Sequence, residues 1–399
     1  MGDKEQAIVR VEPEMAKIDA AAWDACANPD NSENESSHAY NPFISHAFLS
    51  ALETSGSATP QTGWAPHHLI LEDGDGSALA CMPCYLKSHS QGEYVFDYGW
   101  ADAFERAGGR YYPKLQASIP FTPVTGRRLL VPNVPDAEKR EQYLLNAAAT
   151  LLDRYKASSL HLTFLTEGEW QRCGDAGLLR RMDRQFHWKN QDFATFDDFL
   201  GSLTSRKRKL IRRERRDAVA NDIEIKLLTG SDIEEAHWDA FFSFYTDTGS
   251  RKWGHPYLTR DFFSLVGESM ADRILLIMCE REGLPIAGAL NFIGGDTLYG
   301  RYWGSFEDHP FLHFEACYYQ AIDYAISQGL STVEAGAQGP HKLARGYVPQ
   351  TTYSAHLIAD PSLRDAVADY LDHERTHVAL ENEELARHAP YKRSDPKGA

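Results

Sequence analysis

The chain has 399 residues, a formal net charge of −16 and the composition of an ordinary soluble protein. That length predicts two domains, and the apolar runs are too short to span a bilayer. The negative balance excludes indiscriminate binding of nucleic acid, so no DNA partner is expected.

The first forty residues end in the polar stretch 28–37, which reads as a flexible loop. A short helix is predicted at 45–54. Strands are predicted at 68–72, 78–86 and 94–98, joined by turns rich in Gly, Asp and Ser. Residues 138–156 carry a helical pattern in Tyr143, Leu144, Ala147, Leu151, Leu152 and Tyr155, and 159–164 alternates as a strand. A basic helix at 203–220 opens the second half, followed by a strand at 223–227 and a helical stretch at 233–246. Three consecutive strands are predicted at 274–280, 286–293 and 297–303. A helix at 313–328 puts Phe314, Cys317, Tyr318, Ala321, Ile322, Ala325 and Ile326 on one face. A strand at 331–334, another at 353–358 and a helix at 362–385 complete the chain. Both halves repeat one order of elements, which predicts a duplicated αβ unit, with domains 1–192 and 193–399.

The most informative stretch is Glu334-Ala-Gly-Ala-Gln-Gly-Pro-His-Lys-Leu-Ala-Arg-Gly-Tyr347. It sets polar side chains among glycines at a strand end, where α/β folds place chemistry and backbone can approach a ligand closely. A second signal is the block 206–216, with eight basic residues in eleven positions. In an acidic protein this is a focused anion site for phosphate, RNA backbone or anionic lipid heads, and it includes Arg208 and Arg212. The bland alternative is a solvated helix face. The six cysteines, at 26, 81, 84, 173, 279 and 317, form no regular framework and read as reduced thiols. Residues 1–6 lack a basic stretch followed by an apolar one, so the sequence predicts no signal peptide and a cytoplasmic protein.

Several segments carry a family resemblance: Tyr111-Tyr-Pro-Lys-Leu-Gln116, Pro120-Phe-Thr-Pro-Val-Thr-Gly126, Arg251-Lys-Trp-Gly-His-Pro-Tyr-Leu258, Leu298-Tyr-Gly-Arg-Tyr-Trp-Gly304, Leu312-His-Phe-Glu-Ala-Cys-Tyr-Tyr319 and the run 334–347. With the element order, they make the chain resemble the FemAB-like family, in its peptidoglycan biosynthesis/recognition branch, within the GNAT acyltransferase superfamily. The resemblance implies an α/β (α+β) fold of two tandem GNAT-like domains. Each would be a mixed, mostly antiparallel sheet flanked by helices, the first binding the acceptor and the second catalytic. It implies an N-acyl or aminoacyl transferase that uses acyl-CoA, acyl carrier protein or aminoacyl-tRNA as co-substrate, with no tightly bound cofactor and no metal. The acceptor would be an amine on a small or lipid-linked cell-envelope precursor, with peripheral contact at the inner face of the membrane. The connection 305–312 lacks the Q/R-x-x-G-x-G/A loop with which acyl-CoA enzymes of the superfamily hold pyrophosphate, which weakens simple acetyl transfer.

Aminolysis of an ester or thioester requires a proton acceptor, oxyanion donors and an acid for the leaving group. Glu334, His313, Glu315, Tyr302 and Lys342 are the candidates for catalysis. Arg251, Lys252, Trp253, Tyr257, Arg301, Trp303, Gln338, His341 and Arg345 are candidates for binding, with Tyr111, Tyr112 and Lys114 for an acceptor cleft. Each also has an ordinary structural reading: strand-end carboxylates pair with nearby cations, and a histidine or acid at a helix start serves as a cap. A recognition module without turnover is the alternative of another class. A remote third is a zinc hydrolase at His373-Glu-Arg-Thr-His377, an H-E-x-x-H pentad with no obvious third ligand.

Overall fold

A computed structural model describes residues 8–29, 39–252, 256–336 and 339–392. Trp253 and Gln338 lie outside the described residues, as does the side chain of Lys252. In chain order the elements are β1 (Ile8–Glu12), α1 (Ala20–Ala27), α2 (His46–Thr54), β2 (Trp64–Pro66), β3 (His68–Glu72), β4 (Ala78–Met82), β5 (Tyr85–Lys87), α3 (Tyr98–Arg106), β6 (Lys114–Ala117), α4 (Ala137–Tyr155), β7 (Ser159–Leu165), α5 (Glu167–Asp175) and β8 (Leu179–Lys189). There follow α6 (Phe196–Ser202), α7 (Ser205–Ala218), β9 (Ile223–Leu228), α8 (Glu235–Lys252), α9 (Arg260–Met270), β10 (Ile274–Arg281), β11 (Leu284–Ile293), β12 (Thr297–Ser305), α10 (Leu312–Phe314), a π-helical turn (Glu315–Tyr319), α11 (Gln320–Ser327), β13 (Thr332–Glu334), a 3₁₀ turn (Pro340–Arg345), β14 (Val348–Ile358) and α12 (Pro361–Arg387).

The chain forms two units, and the division is not one cut. The first holds Met1–Asp183, Tyr257–Phe262 and Thr352–Val378; the second holds Arg184–Pro256, Phe263–Thr351 and Ala379–Ala399. The strand run in each unit includes one strand from the other half of the sequence. In the first unit the order is β2-β5-β6-β7-β14, beside a small sheet β1-β3-β4. In the second it is β8-β13-β12-β11-β10-β9. β6–β7 and β12–β13 are parallel pairs and the other pairings named here are antiparallel. This is the mixed, mostly antiparallel and helix-flanked class that the family resemblance implies.

The alternation in Ser159-Leu-His-Leu-Thr reads as a half-buried strand, but the structure buries all of β7. Leu160 and Leu162 pack on the apolar face of α4, through Leu144, Ala148, Leu151 and Leu152. Truncating such a leucine to alanine costs about 2–5 kcal/mol. The opposite face carries Lys87, Lys114, Gln116, His161 and His356, all buried. The expected strand at 94–98 is not formed: Tyr94 has φ of 60°, and Tyr98 instead starts α3. The expected strand 78–86 is two strands, interrupted at Pro83, whose ring removes a ladder donor.

Candidate active site in the second unit

β12 and β13 run parallel through Thr297↔Thr332, Leu298↔Val333 and Tyr299↔Glu334, where β13 ends. Beyond that point β12 continues beside β11, and its register slips: Asn291 faces Gly300 while Leu290 faces Tyr302. Arg301 is therefore the extra residue of a β-bulge, a device that re-aims a side chain. Its Nη2 lies 2.5 Å from Glu334 Oε1, with side chains 1% and 3% exposed, and Nη1 donates to Gly300 O at 2.9 Å. Burial pushes the Glu334 carboxyl up, against the pull of Arg301 and Lys342. His187, on β8, sits 3.9 Å from Glu334. Burial, with nearby cations, drops its pKa to about 3, so it faces the carboxylate as a neutral ring.

At the strand split lies a cavity of about 100 Å³, lined by Asn291, Gly300, Trp303, His313, Tyr318 and Ala335 among others. A Cβ on Gly300 would meet Asn291 Oδ1 at 3.2 Å and the Ala335 Cα at 3.7 Å, so glycine keeps the split open. Helical periodicity places Tyr318 on the inner face of its helix, and the turn that carries it is π-helical. Such bulges are frequent at functional sites. Tyr318 Oη is 3.0 Å from Nε2 of His341, in the 3₁₀ turn. His341 is exposed, so this pair joins the cavity to solvent. Burial raises the pKa of Tyr318, keeping it protonated. Partial burial, then Arg345 and Lys342, lower that of His341, keeping it neutral.

The basic helix α7 anchors this site through its buried acid, Glu214. Glu214 accepts from both Tyr319 Oη and Arg345 Nη2, the latter at 3.0 Å. The Arg345 guanidinium lies 3.4 Å over Phe314. Arg215 donates to Glu315 Oε1 at 3.1 Å, and Gln320 Nε2 donates to the same oxygen at 2.7 Å. Lys342 is buried and donates to Ala335 O and Gly336 O, at 2.5 and 3.0 Å, pinning the loop after Glu334.

The structure thus gathers Arg301, Tyr302, Trp303, His313, Glu334, His341, Lys342 and Arg345, while Glu315 faces α7. Arg251, also in the second unit, is exposed, donates to Ser305 O at 2.8 Å and pairs with Asp247. Tyr257 belongs to the first unit and stacks on Phe121, with centroids 4.8 Å apart. Tyr111, Tyr112 and Lys114 also belong to the first unit, in a network rather than an open cleft. Lys114 is fully buried and donates to Ser90 Oγ at 2.8 Å, to Glu93 Oε2 at 2.7 Å and to Asp97. Burial opposes its charge, but the two carboxylates outweigh it and its pKa rises. Tyr111 Oη donates to Asp97 at 2.8 Å, and Tyr112 Oη lies 2.8 Å from Ser90 Oγ. Arg212 is exposed and pairs with Asp197, and Arg208 is half-buried on α7. In the H-E-x-x-H pentad, Glu374 is taken by Arg181 through two bonds of 2.7 and 2.8 Å.

Sequence reasoning missed the roles of Tyr318 and Asn291 in the cavity wall. A tyrosine on an apolar helix face reads as core, and only the fold shows where its hydroxyl points.

The chain matches the FemAB-like family, described as peptidoglycan biosynthesis/recognition, over residues 14–393, and belongs to it. No curated protein matches it. Among solved structures it is similar to FemX, with a TM-score of 0.53 and 12% identity over 88% of this chain and 98% of that one. It is also similar to the C-terminal domain of an Agrobacterium fabrum protein named for lysylphosphatidylglycerol synthesis, with a TM-score of 0.51 and 8% identity, covering 89% and 95% of the two chains. A conserved Bacteroides thetaiotaomicron protein of unknown function gives 0.50 and 9%, covering 88% and 100%. At these identities the likeness is one of fold.

Proposed function

We propose that the second unit transfers an acyl or aminoacyl group from an activated ester or thioester to an amine of a cell-envelope precursor or lipid. The observation that carries this is the cavity at the end of β12 and β13, into which Tyr318 opens and from which His341 leads to solvent. The amine nitrogen attacks the carbonyl carbon and loses a proton to Tyr318 Oη as Tyr318 passes its own to His341 Nε2. Collapse of the tetrahedral adduct breaks the C–O or C–S bond, and the departing alcohol or thiol takes a proton back from this pair or from water. His313 and Tyr302 stand in or beside the cavity wall as further polar groups. The Arg301–Glu334 pair and Lys342 are positioning residues that hold the strand ends and the loop. Membership of the FemAB-like family supports the envelope setting.

The donor is a co-substrate, acyl-CoA, acyl carrier protein or aminoacyl-tRNA, rather than a resident cofactor. The first unit serves the acceptor. The protein works in the cytoplasm, with peripheral contact at the membrane's inner face. α7 presents Arg206, Lys209, Arg212, Arg213 and Arg216 outward, a surface for phosphates of donor or acceptor. Reversing two of them, Lys209→Glu with Arg213→Glu, is expected to raise KM about tenfold at low salt with little change in kcat, and the effect shrinks as salt screens the charge. An unchanged KM would remove α7 from binding.

The pH profile follows from His341 and Lys342. Below its lowered pKa, under 6.5, His341 is protonated and cannot accept a proton. Burial takes Lys342 to a pKa of about 8, above which it loses the charge beside Glu334. Turnover is expected to plateau between these limits and fall on both sides. Lys342→Arg should move the alkaline limb upward, since arginine keeps its charge; a limb that stays in place would assign it elsewhere.

The test is a donor screen on purified protein. Acyl-CoAs and charged tRNAs are offered with an envelope lipid extract, and new amides are followed by mass spectrometry. An amide product is expected from one carrier; no product from either contradicts the proposal.

A further inference from the structure

The first unit carries a pocket of its own, between α12 and the turn from α5 into β8. Three arginines line it, Arg180, Arg364 and Arg375, with one acid, Asp372. Arg364, Ala368, Leu371 and Arg375 follow the helical period, so α12 turns one face to the pocket. Carboxylates outnumber Lys and Arg in this chain by 57 to 41, and three guanidiniums about one acid reverse that balance locally. Arg375 is committed: it donates to Arg180 O and pairs with Asp372. Arg180 and Arg364 have no carboxylate partner among the described residues. Both are nonetheless held in place. Arg364 donates to Gly177 O at 3.1 Å. Arg180 lies along α5, its guanidinium 4.9 Å over the Trp170 ring. A Cβ on Gly174 would meet Arg180 Cδ at 2.4 Å and Nε at 2.9 Å, so the glycine in α5 is what lets this side chain pass.

Two guanidiniums set by separate elements, with N–H groups left over, are a prepared anion site. Each fork matches a pair of oxygens. The two oxygens of a carboxylate lie in one plane and satisfy one fork, whereas the tetrahedral oxygens of a phosphate can serve two. We propose that this pocket binds a phosphate group, on a soluble ester or on a lipid headgroup, through Arg180 and Arg364. Arg375 is a positioning residue that holds the start of β8. The site is separate from the cavity at β12 and β13 and does not depend on transfer there.

Inorganic phosphate and acetate are titrated into the full-length protein by calorimetry at constant ionic strength. Vesicles of phosphatidylcholine, alone or mixed with phosphatidylglycerol, are tested in parallel by co-sedimentation. Phosphate is expected to bind with a Kd below about 1 mM, and acetate at least about tenfold more weakly. Arg180→Gln with Arg364→Gln should weaken phosphate at least about tenfold, with thermal unfolding measured beside it. Asp372→Asn removes the one acid of the pocket and should tighten phosphate about threefold, a gain that misfolding does not produce. Lys209→Glu with Arg213→Glu, on α7, should leave the phosphate Kd within about threefold. Binding of free phosphate that needs Arg180 and Arg364 identifies a soluble source. Binding only to phosphatidylglycerol vesicles, lost in the same arginine variant and kept in the α7 variant, identifies a headgroup. Binding to either probe that survives Arg180→Gln with Arg364→Gln overturns the proposal, as does binding to neither.

Discussion

Tyr318→Phe is expected to lower turnover about 100-fold to 10,000-fold while leaving the fold intact. The hydroxyl lines the cavity wall and bonds to His341. Phenylalanine fills the same volume, and the contacts of the ring with Phe314 and Tyr347 persist. The lost hydrogen bond leads to an exposed histidine that water can satisfy, so the stability change is within about 1 kcal/mol. Rate and stability separate cleanly in this variant. Single-turnover rates beside a denaturation curve check it, and a rate within about threefold of wild type would take Tyr318 out of the chemistry.

Glu334→Gln is expected to be costly in a different way. Arg301 is 1% exposed and Glu334 is its counter-charge at 2.5 Å. Removing the carboxylate takes its anionic partner from a buried guanidinium, a loss of about 3–5 kcal/mol. Replacing both partners, Glu334→Leu with Arg301→Met, removes the charge as well as its partner and should recover most of that stability. It should not recover turnover, because the bulge no longer fixes the strand end beside the cavity. Urea midpoints for the single and double variants decide the energetic part. A single variant as stable as wild type would show that the pair is not a structural clamp.

Both predictions rest on features that the sequence announces only in part. The period of Phe314, Cys317, Ala321 and Ile322 marks a buried helix face, and that face packs on Leu298 and Val333. The runs 297–303 and 331–334 mark the two strands whose split forms the cavity. The bulge at Arg301 and the π-helical turn at Glu315–Tyr319 each insert one residue against a regular ladder. Such insertions leave no periodic signature, because tertiary packing selects them. The block 206–216 reads as purely basic, yet its one acid, Glu214, ties α7 to Arg345 and Tyr319. The pairings of β14 with β7 and of β8 with β13 were beyond the reach of local patterns, since contacts such as His161↔His356 join residues distant in sequence. Lys114 shows the reverse error: next to two tyrosines it suggests a binding cleft, while Glu93 and Asp97, too far along the chain to be read together, make it part of a buried ion network.

Cys317 offers the most direct test, since it lines the cavity half-buried while the other five cysteines are buried. The rate of its alkylation by iodoacetamide is measured with and without the donor that the screen identifies. If transfer takes place in this cavity, donor at ten times its Kd slows labelling of Cys317 about tenfold. Labelling at the same rate with the donor bound would place the reaction elsewhere.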